Sequence, residues 1–185
     1  MLSIVITGNP GVGKHTVAKQ IAKNLNLDLI DINKVAIENG IFVPGKETLD
    51  VDTKALQKIL DKKIISHSLI VGHLAPYVIP RNKVSMAIIL RKSPYKLIPI
   101  YKKRKYSKQK TIENLGSEIL GITFYDALKK FGPAKTHQID TSLSSVSKVV
   151  KRIEVLFEKS KFQEDQVDWL GLISKKGDLK RFFPY

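Results

Sequence analysis

The chain has 185 residues, 43% of them hydrophobic and none of them cysteine, which fits one domain with its own core and excludes disulfides, thiol chemistry and cysteine-based zinc sites. No stretch approaches the roughly 20 apolar residues of a membrane span, and the N-terminus reads as a core strand rather than a signal peptide, so a cytoplasmic protein without membrane contact is expected. Lysine and arginine number 32 against 17 aspartate and glutamate, a net charge of +15; that excess points to a polyanionic partner, RNA first, with a merely solvated lysine surface as the alternative.

In chain order, an apolar run over residues 2–7 predicts a strand. A glycine-rich turn follows, then a helical pattern over residues 14–24. Gly8, Gly13 and Lys14 fit the spacing G-x-x-x-x-G-K, that of a loop whose backbone N–H groups curl around a triphosphate with the lysine over its outer phosphates. The strand before the loop and the helix after it are the context that such a motif needs. A nucleotide site is therefore expected, with Lys14 over the phosphates.

Further along, residues 27–32 predict a second strand, 33–39 a helix, and 40–49 a loop marked by Pro44 and Gly45. Residues 52–62 have helical spacing with Asp52 near the N-cap. Strands are expected at 68–71, 84–90 and 136–140. Helices are expected from Tyr95 despite Pro99, over 108–131 with a break at Gly116 or Gly121, and over 144–159. Strands alternating with helices predict an α/β fold, a doubly wound parallel five-stranded sheet of P-loop type with nucleotide at the C-terminal strand edge.

Two features refine the chemistry. P-loop enzymes usually carry Ser or Thr directly after the lysine, and its hydroxyl holds Mg²⁺. Here that residue is His15 and the hydroxyl comes at Thr16, as Gly-Lys-His-Thr, which resembles the Gly-Lys-Gly-Thr of nucleoside monophosphate kinases. His15 either caps the helix start, touches phosphate or ligates a metal directly; no metal ligands are assigned. The second feature is the basic run over residues 101–110, between two helices after the fourth strand, where such kinases carry a lid. Arg104 is its only arginine. A guanidinium clamps phosphate in two-pronged fashion, so Arg104 is the candidate lid arginine.

The runs Leu69-Ile-Val-Gly-His-Leu-Ala-Pro-Tyr77, Ile88-Ile-Leu-Arg-Lys-Ser-Pro94, Lys103-Arg-Lys-Tyr-Ser-Lys-Gln-Lys-Thr-Ile-Glu-Asn114 and Glu118-Ile-Leu-Gly121 together resemble the adenylate kinase isoenzyme 6 family, especially its archaeal members. The resemblance covers residues 1–157. It implies a kinase domain over residues 1–160, with a monophosphate-binding segment at 31–49 and a lid at 103–113. It also implies adenylate kinase activity (ATP + AMP to two ADP), ATPase activity, Mg²⁺, and a part in small-ribosomal-subunit maturation through a small-subunit ribosomal protein and rRNA. By the same resemblance the positions that bind ATP are Gly11, Gly13, Lys14, His15, Thr16 and Arg104, and Lys14, His73 and Arg104 are the expected catalytic residues.

The sequence departs from that family at Val71, where a carboxylate two residues before the histidine is expected. Asp31, at the end of the second strand, is a conceivable substitute or simply a helix N-cap. His73 either acts near the γ-phosphate or is structural; His67 and His137 read as structural. The segment 161–185, with Phe162, Trp169, Leu170, Ile173, Phe182, Phe183 and Tyr185, either packs back on the core or binds a partner. The expected function is thus an adenylate-kinase-like enzyme. The alternatives are a slow nucleotide-dependent assembly switch, or a kinase for another small acceptor or an RNA end.

Overall fold

Runs of branched aliphatic residues form the strands β1 (Ser3–Thr7), β2 (Asp28–Asp31), β3 (Ser68–Val71), β4 (Val84–Arg91) and β5 (Thr136–Asp140). The computed structural model describes residues 3–41, 51–65, 67–159 and 164–184. The strands all pair in parallel, in the order β2-β3-β1-β4-β5. Parallel neighbours need crossovers, and helices supply them on both faces of the sheet, which is why the central strands are continuous apolar runs. All five residues of β1 are buried.

The helices are α1 (Lys14–Asn24), α2 (Ile32–Glu38), α3 (Thr53–Lys63), α4 (Ala75–Val78), α5 (Pro94–Lys103), α6 (Lys108–Ile119), α7 (Ile122–Phe131), α8 (Val146–Lys159), α9 (Trp169–Lys175) and α10 (Leu179–Phe182). One face of the sheet packs Val35, Leu56, Leu60 and Phe131 from α2, α3 and α7. The other packs Val17, Ile21, Val149 and Ile153 from α1 and α8. A third cluster joins Leu97 and Tyr101 of α5 and Leu115 and Ile119 of α6 to Ile173 and Phe182 of the C-terminal segment.

Several boundaries differ from expectation for local reasons. The second strand stops at Asp31 and Ile32 opens a helix, because the Asp31 carboxylate accepts hydrogen bonds from the backbone N–H groups of Asn33 (3.0 Å) and Lys34 (3.3 Å). Asp52 caps α3 as its position predicted, accepting from the N–H groups of Lys54 and Ala55. The stretch 108–131 breaks at Gly121 (φ 68°), while Gly116 stays inside α6. Met1 and Leu2, the loop residues 42–49, and Lys161, Phe162 and Tyr185 of the C-terminal segment lie outside the described residues.

The C-terminal segment also closes the open edge of the sheet. Glu164 accepts from the Gln138 N–H at 2.9 Å and Asp165 from the Asp140 N–H at 2.8 Å, capping donors of β5 that no neighbouring strand satisfies. Arg152 of α8 holds Asp165 with two hydrogen bonds, at 2.8 and 3.0 Å.

Candidate nucleotide site

The glycine-rich loop leaves the C-terminal end of β1, the middle strand, where ligand crevices form in open α/β sheets. Gly8 lies against β4 so closely that a Cβ there would stand 2.3 Å from the Leu90 carbonyl oxygen. Gly13 has φ 99° and heads α1 with no side-chain cap, and a Cβ built on it would meet nothing within 4 Å. Gly13 and the first residues of α1, Lys14, His15 and Thr16, line a cavity, and the uncapped start of a helix is where an anion is received.

The loop is fastened from beneath by buried polar contacts. Asn9 donates its amide to Glu118 at 2.7 Å, and its amide oxygen accepts from Ser117 (3.0 Å) and Thr123 (3.3 Å). Glu118 is fully buried. Its other carboxylate oxygen accepts from Arg91 Nε (2.9 Å), the Lys92 N–H (3.0 Å) and Trp169 Nε1 (3.1 Å). Arg91 also donates to the Glu118 carbonyl at 2.7 Å and to Gln138 at 3.0 Å. Tyr101 donates to the Pro10 carbonyl (2.7 Å) and Thr141 to the Val12 carbonyl (3.0 Å). A buried ion pair of this kind persists because its remaining lone pairs and protons are hydrogen-bonded.

Lys14 is 5% exposed, with Nζ donating to the Asn9 carbonyl at 3.2 Å. Burial, with Arg104 adding repulsion, pushes its ammonium down to about 8, against the opposing pull of Asp31 and Glu118. A polyanion bound beside it would favour the ammonium and raise that value again. The loop opens onto a cavity of about 950 Å³, lined among others by Lys14, His15, Thr16, Asn33, His73, Arg104 and Lys110.

Arg104 follows the last turn of α5, and its guanidinium donates to the Tyr106 hydroxyl at 3.4 Å. The Tyr106 ring stacks on Tyr101, with centroids 5.3 Å apart, and Lys110 Nζ lies 4.7 Å from its centre. The His73 ring opens onto the cavity, yet the surrounding walls desolvate it, and Lys14, His15 and Lys110 repel added charge. Its pKa is pushed down to about 4, so the ring is neutral at physiological pH.

His15 does not cap its helix. Its Nε2 stands 3.2 Å from Asp31 Oδ2. Burial lowers its pKa, and Asp31 pulls the other way. Asp31 is the helix N-cap that the sequence offered as one reading, with Oδ1 capping α2 and Oδ2 paired with His15. Val71 is 1% exposed among apolar neighbours and pairs in register with Asp31 on the next strand.

All the residues predicted from sequence (Gly11, Gly13, Lys14, His15, Thr16, His73 and Arg104) line this one cavity. His67 and His137 do not line it; His67 occupies a turn with φ 69° and His137 lies in β5. Sequence reasoning assigned no site role to Asn9, Arg91, Glu118, Tyr101 or Trp169, nor to Asn33, Tyr106 and Lys110. Arg91, a charge ending an eight-residue apolar strand, and Glu118, an acid between the core residues Leu115 and Ile119, were the available signals.

The loop and the buried lysine fit the phosphates of ATP. The groups that most directly hold Mg²⁺ in P-loop enzymes, a hydroxyl after the lysine and a strand-end carboxylate, are here an imidazole and a buried valine.

A family model described as AAA domain matches residues 4–121. The "Putative adenylate kinase" of Pyrococcus furiosus is 31% identical over 168 residues, covering 90% of each chain. The protein of the same name from Saccharolobus islandicus is 27% identical over 170 residues, covering 90% of this chain and 87% of its own. Shikimate kinase from Acinetobacter baumannii in complex with shikimate superposes with a TM-score of 0.60 at 16% identity, covering 88% of this chain and 96% of the other. The YorR protein of Bacillus subtilis in complex with phosphorylated GDP also gives 0.60, at 17% identity, covering 85% and 96%. These two likenesses show a P-loop kinase fold. The chain belongs to the AAA-domain family of P-loop proteins and, within it, to the archaeal adenylate-kinase-like group that its motifs resemble.

Proposed function

We propose that the protein transfers the γ-phosphoryl group of ATP to a nucleoside monophosphate, AMP first, giving two ADP, and hydrolyses ATP slowly when no acceptor is bound. One observation supports this reading: a single cavity of about 950 Å³ is lined by the phosphate loop, Arg104, His73 and Asn33 together. Lys14 and the loop amides hold the donor phosphates. Arg104 neutralises charge that builds on the transferred group, the largest contribution expected of such a site. Neutral His73 donates its one ring N–H to the attacking phosphate oxygen and orients it. In the transfer, the bond between the γ-phosphorus and the β–γ bridging oxygen breaks as an acceptor phosphate oxygen bonds to that phosphorus.

The charge of +15 supports a polyanionic partner beyond the nucleotide. In line with the motif resemblance, we take that partner to be a small-subunit ribosomal protein with its rRNA. The buried Val71 favours a second reading, a slow enzyme whose nucleotide state governs partner release. A coupled assay separates the two by measuring ADP formation from ATP alone and with AMP, CMP, GMP or UMP. A kinase gives an AMP-dependent rate well above the ATP-only rate. ADP formation indifferent to every monophosphate supports the switch and removes the kinase.

A further inference from the structure

His15, which lines the cavity, and Asp31, paired with it, have no task in the phosphoryl transfer described above. Their facing atoms, Nε2 and Oδ2, are 3.2 Å apart, and 39% and 29% of their side chains are exposed. Two ligand atoms each about 2.1 Å from one ion lie about 3.0 Å apart around an octahedral ion and about 3.4 Å apart around a tetrahedral one. The observed separation falls between these values, so a single cation can take both atoms with little movement.

The surroundings fit that use. His15 directly follows Lys14, where P-loop enzymes place the hydroxyl that reaches their divalent ion. The carboxylate that usually joins it is replaced by Val71, and the register partner of Val71 on the neighbouring strand is Asp31. The acid has thus moved one strand outward at the same level of the sheet. The Asp31 carboxylate is held in place because its other oxygen caps α2, with bonds of 3.0 and 3.3 Å; such supporting contacts orient metal ligands. Among the described residues no group of three or more His, Cys, Asp or Glu side chains is placed to hold a metal. Two protein ligands cannot close a coordination sphere, so further ligands must come from outside the chain.

The geometry points to a divalent-metal corner made by His15 Nε2 and Asp31 Oδ2 and completed by nucleotide phosphate oxygens and water. Because it contains an imidazole, this corner prefers first-row transition ions such as Co²⁺ to Mg²⁺. Hard, oxygen-seeking Mg²⁺ gains little from an imidazole, whereas later first-row ions bind it well. The phosphate ligands rest on the nucleotide reading proposed above; the protein pair does not.

The test uses the full chain, with ADP as the nucleotide and Co²⁺ and Mg²⁺ as probes. Calorimetry reads ADP affinity in metal-free buffer and with each ion, and NMR of the histidine rings reads where Co²⁺ sits. Co²⁺ should strengthen ADP binding at least about tenfold more than Mg²⁺, and should shift or broaden the His15 ring before those of His67 and His137. His15→Thr restores the hydroxyl and should reverse the preference in favour of Mg²⁺. Asp31→Asn keeps the α2 cap, since Asn caps as well as Asp, but should lower the Co²⁺ enhancement about tenfold. Equal enhancement by both ions in wild type and His15→Thr, with an undisturbed His15 ring, overturns the proposal. If ADP binds under none of these conditions, the nucleotide reading fails. The corner is then judged with Co²⁺ alone: a selective shift of His15 at millimolar Co²⁺ upholds it, and no shift overturns it.

Discussion

Beneath the phosphate loop, Asn9 and Glu118 are buried with both side-chain polar atoms of each engaged, and Lys14 is almost fully enclosed. Around this frame, His15 and Asp31 are half-buried and His73 is exposed, and the usual strand-end acid is a core valine. The difference follows from what each set of residues must do. Backbone N–H groups recognise phosphate only if the loop holds its shape before the ligand arrives, which demands a rigid, satisfied frame. In the function proposed above, the residues around the frame meet an ion and an acceptor through side-chain tips, and such side chains can be exchanged without disturbing the sheet. The buried frame is therefore conventional in form, and the departures are single side chains set around it, His15 and Val71.

The comparison breaks most severely if the buried frame is cut. Glu118→Ala leaves Arg91, 3% exposed, as an uncompensated charge and frees the Asn9 amide. It should lower unfolding stability by about 3–5 kcal/mol, read by urea denaturation. A loss below about 1 kcal/mol would mean that the loop does not depend on this carboxylate. A smaller cut comes from the C-terminal segment. Trp169→Phe removes one of the donors to Glu118 while keeping an aromatic ring, and should cost about 1.5–3 kcal/mol, the range for a hydrogen bond to a charged group.

The state of Lys14 sharpens the contrast further. Its pKa of about 8 belongs to the free protein, and bound phosphates favour the ammonium and raise it. Below pH 8 both free and bound forms carry the proton, and affinity is level. Above it the free protein has lost the proton that the complex keeps, so nucleotide affinity should fall by up to about tenfold per pH unit, with proton uptake on binding. Calorimetry in buffers of different ionisation enthalpy measures that uptake. Affinity level to pH 9.5 with no uptake would show that Lys14 does not meet the phosphates.

Legibility in the sequence follows the same divide. The loop is local: Gly8, Gly13 and Lys14 lie within seven residues between a strand and a helix, and a short-range pattern suffices to find it. The α3 start was equally local, since Asp52 caps the two N–H groups that follow it. Asn9 and Glu118 are 109 residues apart, and Arg91 and Gln138 are 47 apart; nothing in the sequence around one end announces the other. The His15–Asp31 pair depends on strand order, because β3 separates β1 from β2 and so sets where the end of β2 falls relative to α1. Asp31 was legible as a candidate, but its partner was not. Trp169 was visible as the only tryptophan, and its hydrogen bond to a carboxylate beneath the loop became visible only with α9 in place.

The central claim, that this cavity binds a nucleotide through Lys14 and the loop before it, is tested most directly by calorimetric titration of ATP into the wild-type protein and Lys14→Ala, with thermal unfolding of both recorded alongside. Wild type should bind ATP saturably. The variant should bind at least about 100-fold more weakly, the scale expected when an oriented charge is removed from a phosphate site, and should unfold at a temperature no lower than wild type, because a buried ammonium has been replaced by an apolar group. ATP binding of equal strength in both proteins, or none in either, would contradict the account.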